Sequence, residues 1–374
     1  MASNHRSLVV IQLSGGNDYM NTVVPYGNGL YYDWRPSVRI EQGDVLPLDD
    51  DLGINPDVPV IKELWDQGNV AVINGIGYAN PSRSHFRAMD IWHTAEPDRV
   101  GDAGWLGRAV REMDPTAENV LTGVNFGRGL PRAMACKGVP VASVGNLETY
   151  GLFPDKVDEW NRRYALECFA KMYGARGGDA VREVLGQTGS DALKGADILR
   201  TAPGKYSSGV EYGSSDIAQN LKAIAQVMFA DLGTRVYYTQ LGNFDSHAGQ
   251  LPVQSKLLKE LSPALRDFTD DIKEHGREND VVILMFSEFG RRVRDNGSGT
   301  DHGWAGGAFV VGEPVAGGLY GEYPSLNEAD LVEGDLRFNN DFRSTYSTIL
   351  ERWMGLEATP IVNGSFEHLD FLPN

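Results

Sequence analysis

Apolar residues in this chain fall into short runs that stop abruptly at glycine-rich or polar loops. Ser7–Leu13 (SLVVIQL) is β-branched and ends at Ser14-Gly15-Gly16-Asn17-Asp18, the signature of a buried strand entering a tight loop. Residues 70–76 repeat the design after a helical spacing over 60–67, and they end at Gly77 and Asn80-Pro81-Ser82-Arg83-Ser84-His85. A helical spacing over 217–232 leads into a third strand at 235–239, followed by Gly242-Asn243-Phe244-Asp245-Ser246-His247. Residues 257–274 read as an amphipathic helix. Val281–Phe286 (VVILMF) is the most apolar strand and runs into Ser287-Glu288-Phe289-Gly290-Arg291. A strand at 308–312 follows Asp301-His302-Gly303-Trp304, and 342–354 predicts a late helix with Asp341 as its N-cap.

This alternation predicts an α/β fold: a three-layer sandwich around a mainly parallel central sheet, in which functional groups gather at the carboxyl ends of strands. The 374 residues show no internal repeat and no low-complexity linker. One domain over 1–374 is expected, and the polar, Gly-rich middle at about 136–215 is read as a cap inserted over the rim. With 34 Lys+Arg against 51 Asp+Glu the formal charge is −17, and a surface so acidic repels phosphate backbones and anionic lipid. No nucleic-acid partner is expected, the short basic run Arg291, Arg292 and Arg294 notwithstanding. No apolar stretch is long enough to span a bilayer. The two cysteines, Cys136 and Cys168, stand in no metal-ligand spacing and read as a buried thiol pair.

Asp18, Ser84, Asp245, His247 and Glu288 follow directly on strands, and Asp301 and His302 precede one. Carboxylates and imidazoles converging on one rim suit a borderline divalent cation, Zn²⁺ first, then Mn²⁺ or Fe²⁺. Asp245 and His247, two apart, share a face in extended structure. A nearby hydroxyl, Ser84, would be activated beside such a cation, and it also reads as the cap of the helix that starts at about 86. His93, His275 and His368 have no comparable setting and read as surface or core histidines.

These segments resemble the bacterial family grouped as domain of unknown function 1501, a branch of the alkaline phosphatase and sulfatase superfamily. The motifs are Ser14-Gly-Gly-Asn-Asp18 with Asn21-Thr-Val-Val-Pro-Tyr26, Asn80-Pro-Ser-Arg-Ser-His-Phe86 with Asp90-Ile-Trp92, and Gly104-Trp-Leu-Gly-Arg108. Phe244-Asp-Ser-His247, Phe286-Ser-Glu-Phe-Gly-Arg-Arg292, Gly299-Thr-Asp-His-Gly-Trp304 and Gly318-Leu-Tyr-Gly321 complete the set.

The resemblance implies an alkaline phosphatase-like fold and a metal-dependent hydrolase of phosphate or sulfate esters. Ser84 would be the nucleophile. One or two divalent ions, with Mg²⁺ and Ca²⁺ as further candidates, would be held by Asp18, Asp245, His247, Glu288 and His302. Arg83, Arg87 and Arg291 would bind the oxygens of the transferred group, and the partner would be a small anionic ester such as a modified carbohydrate. The alternatives are a non-catalytic binding or assembly protein with a structural metal, and a metal-dependent transferase. Three features depart from the superfamily pattern: the tight Asp245-x-His247 spacing, Glu288-Phe289 in place of Asp-His, and Asn55-Pro56 in place of His-Pro. Relatives carry twin-arginine export signals, so the resemblance implies a periplasmic location. The opening Met1-Ala-Ser-Asn-His-Arg-Ser7 reads as no signal peptide, which leaves the cytoplasm as the alternative.

Overall fold

Ser7–Leu13 forms strand β1, and its side chains divide between two cores. Val9, Ile11 and Leu13 enter one apolar cluster, while Leu8 and Val10 enter another. A strand buried on both faces needs helices above and below it, and the chain supplies them. The computed structural model describes residues 6–150, 159–174 and 180–373.

Further strands follow in chain order: β2 (Val70–Gly77), β3 (Gly123–Phe126), β4 (Ala142–Val144), β5 (Val236–Leu241), β6 (Val281–Phe286), β7 (Gly306–Val311), β8 (Gly318–Tyr320) and β9 (Asn340–Asp341). Among the described residues they make one nine-stranded sheet in the order β8-β2-β7-β6-β1-β5-β3-β4, with β9 beside β2. The main helices, leaving aside short ones such as Gly29–Trp34, are α1 (Pro59–Asp66), α2 (His85–Thr94), α3 (Trp105–Met113), α4 (Glu159–Gly174), α5 (Ala180–Leu199), α6 (Asp216–Phe229), α7 (Gln250–Glu274) and α8 (Phe342–Thr348). Helices α1, α6 and α7 pack on the face of Val9 and Ile11, and α2, α3 and α8 pack on the face of Val10. The result is the three-layer α/β sandwich that the alternation predicts.

Every pairing in this sheet is parallel except those of β7, which is antiparallel to both β2 and β6. That reversal positions the site. The carboxyl ends of β1, β2, β5 and β6 share one rim, and because β7 runs the other way its amino end lies on the same rim. A loop before β7 can therefore meet the loops that follow its neighbours.

Two helices differ from the sequence pattern. Helix α7 starts at Gln250, not at 257, because its first turns bury polar side chains: the Gln250 Nε2 amide donates to Asp18, and that of Gln254 donates to the Asp18 carbonyl at 3.0 Å. The late helix turns from α into a π-helical turn at Ile349–Met354 and ends at Gly355 in the left-handed region. The stretch at 136–215 supplies the edge strand β4 and the paired helices α4 and α5, and its residues 151–158 and 175–179 lie outside the described residues. Cys136 and Cys168 form no buried pair; each is free and half-buried. Among the described residues, no helix is long and apolar enough to cross a membrane.

The central position of β1 gives a stability test. Ile11 is fully buried, so Ile11→Ala leaves a cavity between sheet and helices and should cost about 2–5 kcal/mol. Denaturant unfolding should show a lower midpoint at unchanged slope, and an unaltered midpoint would contradict the packing described.

Candidate metal centre

The rim is drawn tight by backbone that tolerates no side chain at two points. Gly15, just past β1, sits at φ +118° beside the loop after β5, where a Cβ would come within 2.5 Å of the Asp245 nitrogen. Gly303 passes the Arg291 backbone, where a Cβ would meet its carbonyl carbon at 2.5 Å. A short antiparallel contact joins the loops flanking β6 and β7: Arg291 bridges His302, Arg292 N–H donates to the Asp301 carbonyl at 3.0 Å, and Gly303 N–H donates to the Gly290 carbonyl at 3.0 Å. His302 is thereby fixed in place.

Three imidazoles converge on Asp245. His247 Nε2 and His302 Nε2 each lie 2.9 Å from Asp245 Oδ1, and His85 Nε2 lies 3.2 Å from Oδ2. The two nitrogens of His247 and His302 are 3.0 Å apart. Each ring is braced through its other nitrogen: His85 Nδ1 to Glu288 Oε1 at 2.9 Å, His247 Nδ1 to Asp301 Oδ1 at 2.9 Å, and His302 Nδ1 to the Arg83 carbonyl at 2.7 Å. A carbonyl or an ionised carboxylate only accepts, so all three Nδ1 atoms carry hydrogen. In the neutral rings the three Nε2 lone pairs then face one carboxylate and, for two of them, each other. Such a set is repulsive unless protons or a cation occupy its centre. His85, Asp245 and His302 offer ligand atoms that all lie within 4.8 Å of one another. Imidazole nitrogens with a carboxylate, each oriented by a second partner, fit a borderline divalent cation.

The electrostatics follow from the same contacts. Burial works to raise the Asp245 carboxyl, but the hydrogen bonds from His302 and Arg291 outweigh it and hold the group well below the usual carboxylate range. Glu288 is fully buried, and burial again pushes upward; the bonds from His85 and from backbone N–H groups, Gly15 among them, leave it below its ordinary value. In return the hydrogen bond to Glu288 raises His85. His93, by contrast, is lowered to about 4 by burial and bonds Gln12 at 2.8 Å inside the core.

Of the residues singled out in the sequence, Asp245, His247 and His302 come together, and Glu288 reaches the cluster only through His85. Asp18 does not reach it. Its Oδ2 is held by Arg35 at 2.5 Å and by Gln250, and its Oδ1 is buried without a partner. Ser84 is the exposed N-cap of α2, next to His85, and makes no cap hydrogen bond. Arg83 pairs with Asp335 and Glu333 and lies over the Trp304 ring. Arg87 is turned to Asp90 and to the carbonyls of Arg99, Glu96 and Pro97. Arg291 is buried and donates to the carbonyls of Gly15, Gly16, Phe244 and Thr300 and to Asp245 at 3.0 Å. His85 is the member of the cluster that the sequence does not single out; its position beside Ser84, in a polar loop just past a strand, is the signal that marks it.

Residues 181–363 match the family model described as Protein of unknown function (DUF1501). That match covers a little under half of the chain. Solved structures similar to the chain include the PsFucS1 sulfatase from Pseudoalteromonas sp., at 14% identity and TM-score 0.42, covering 98% of this chain and 71% of that one. The phosphonate monoester hydrolase of Agrobacterium radiobacter is similar at 10% identity and TM-score 0.41, covering 97% and 78%. A protein in the alkaline phosphatase superfamily from Vibrio parahaemolyticus is similar at 10% identity and TM-score 0.35, covering 87% and 64%. No curated protein matches the chain.

The His85–Glu288 pair makes the metal-free protein pH-sensitive in a definite direction. His85 is raised above 6.5, so its contribution to stability is full below that pH and is lost as pH rises through the folded value. Glu288 is lowered below 4.5, so its contribution is present above that pH and is lost as pH falls through the folded value. Chelated protein should therefore unfold at higher denaturant at about pH 5.5 than at about pH 8.5. Glu288→Gln should flatten that difference, and an unchanged profile in the variant would show that the pair is not its source.

Proposed function

We propose that this chain is a divalent-metal-dependent hydrolase of phosphate or sulfate esters, with Ser84 as nucleophile. The observation that carries the reading is the convergence of three braced imidazole nitrogens on Asp245 beside an exposed serine at a helix N-terminus. His85, Asp245, His247 and His302 would hold the cation. When bound, it lowers the pKa of a neighbouring hydroxyl and neutralises charge on the transferred group. The sequence motifs shared with the superfamily support the same chemistry.

The chain's own groups would divide the remaining work. The first N–H groups of α2 have no acceptor within the helix, whose ladder begins with Ala88 N–H to the Ser84 carbonyl at 2.8 Å. They form a seat for the anionic oxygens of the ester, directly beside Ser84. Arg291 is buried among protein acceptors, so the role of contacting those oxygens falls to Arg83 and Arg87, which flank Ser84 and, though paired with Asp335 and Asp90, each keep about a third of the side chain exposed. Ser84 loses its hydroxyl proton as its oxygen bonds to phosphorus or sulfur. The bond to the alcohol oxygen breaks, and that oxygen leaves with the electron pair and takes up a proton. Water then cleaves the seryl ester, releasing the inorganic anion and restoring the hydroxyl.

A second reading, a binding or assembly protein with a structural metal, draws on Asp18: with its carboxylate taken up by Arg35 and Gln250, the described rim residues offer one ligand set, that of a single ion. Turnover separates the readings. Under the hydrolase reading the reconstituted chain retains one divalent ion by elemental analysis, and His302→Ala loses it. Ser84→Ala should keep the ion and lose on the order of a hundredfold or more in turnover of an aryl phosphate or sulfate. Full activity in Ser84→Ala would end the covalent mechanism, and metal retention without turnover of any ester in a broad panel would favour the binding protein.

A further inference from the structure

Large apolar side chains stand in water on one part of this chain, far along the sheet from the cluster. Trp160, Tyr164 and Met172 of α4 and Val184 and Leu185 of α5 each keep more than half of their surface exposed, Met172 as much as 73%. Trp160, Tyr164, Cys168 and Met172 follow one another at four-residue intervals and so form one ridge of α4. The rings of Trp160 and Tyr164 stack, with centroids 5.8 Å apart and planes within 3°. The two helices do not need this ridge to hold each other, since α4 meets α5 through Tyr173, whose ring lies over Gly189 where a Cβ would collide with it. Beside the hairpin runs a groove of about 450 Å³, open between α5 and the edge strand β4 and walled by Leu130, Val139, Val141, Tyr150 and Val184.

Area and charge together indicate what covers this face. With Leu130, the exposed side chains of the hairpin leave roughly 700 Å² of apolar surface in water, more than the largest patch of an ordinary monomer and close to the roughly 800 Å² that each partner buries in a standard interface. The two helices carry five Lys and Arg against five Asp and Glu, so the hairpin is neutral on a chain of net charge −17. Lys137 and Asp191, which line the groove, also balance. Two copies meeting through their acidic surfaces would bring like charge together, whereas two copies meeting here do not. The same acidic body works against an anionic lipid surface as the occupant.

We propose that this face joins two copies of the chain about a two-fold axis, with the Trp160–Tyr164 ridge of each copy seated in the groove of the other. Ridge and groove belong to one stretch of one chain, so a single contact repeated by the axis is made twice and closes on itself as a dimer. The stacked rings supply the large, rigid aromatic surface that anchors interfaces, and the groove supplies the apolar walls to receive it. The dimer is independent of the hydrolase reading, because neither the cation nor Ser84 takes part in it.

The test is the mass of the full chain in solution, measured under reducing conditions by sedimentation velocity and light scattering up to about 50 μM. Twice the chain mass is expected, with a dissociation constant of about 10 μM or tighter that holds at about 1 M salt, since no net charge draws the two faces together. Trp160→Asp and Leu185→Asp each put a charge into the face and should weaken association about tenfold or more, with the far-UV circular dichroism unchanged because both side chains are exposed. Leu130→Asp, across the groove and outside the hairpin, should do the same and decides the matter where a hairpin variant does not fold. Val100→Asp is the control: its side chain is 68% exposed, in the loop after α2, and the dimer should survive the change. A chain that stays monomeric at about 50 μM, a dimer that the three patch variants leave unchanged, or one that Val100→Asp breaks equally would overturn the proposal. A monomer that instead binds vesicles of phosphatidylcholine and phosphatidylglycerol, and loses that binding in Trp160→Asp, would also overturn it and make the face a lipid surface.

Discussion

The site depends on one guanidinium. Arg291, at the end of the loop after β6, reaches across the rim and donates to the loop after β1 through Gly15 and Gly16, to the loop after β5 through Phe244 and Asp245, and to the loop before β7 through Thr300. These loops are joined by no regular ladder beyond a short bridge, so the geometry that brings Asp245 near His302 is set from one buried side chain outward. A planar group with several fixed donors suits the task, since it can meet acceptors from several directions without moving. Its charge also has a function, because it faces the carboxylate around which the imidazoles gather and helps keep that carboxylate ionised.

Around this clamp the chemistry is layered. The carboxylate of Asp245 faces the three Nε2 atoms, and behind the rings stand Glu288, Asp301 and the Arg83 carbonyl, each fixing a ring through Nδ1. Glu288 is the most demanding of these, since a buried carboxylate is costly unless it is bonded, and here Gly15 N–H, the Ser287 hydroxyl and His85 all supply it. The acidic surface of the protein as a whole works against an anionic ligand. Under the proposed function the amino end of α2 and the partly exposed Arg83 and Arg87 would be the local features that offset it.

Much of this was legible in the sequence, and the failures have physical causes. The strand runs and their polar ends gave the layers and the rim, because period and composition are local properties. Asp245, His247 and His302 stand out in the sequence because each flanks a strand and has ligand chemistry, and the structure brings the three side chains together. Asp18 meets the same description, yet its partner Arg35 caps the carboxyl end of a short helix, Gly29–Trp34, whose approach no local pattern reveals. Glu288 was read as a ligand because burial and the His85 contact, which turn it into a brace, are products of packing. The first turns of α7 were missed for a related reason: Gln250 and Gln254 are polar in sequence and buried in fact, since they serve Asp18 and its carbonyl.

The reversed strand β7 has a bearing on how the protein assembles. His85, Asp245 and His302 come from distant parts of the chain, and the last of them is positioned only once β7 has inserted between β2 and β6. Contacts of such separation carry the loop-closure entropy that slows folding and are made after local structure has formed. A cation at this rim therefore has no nucleus to template early in folding. It would enter a nearly finished sheet and act as a latch, stabilising the folded state against opening more than it speeds the search for it.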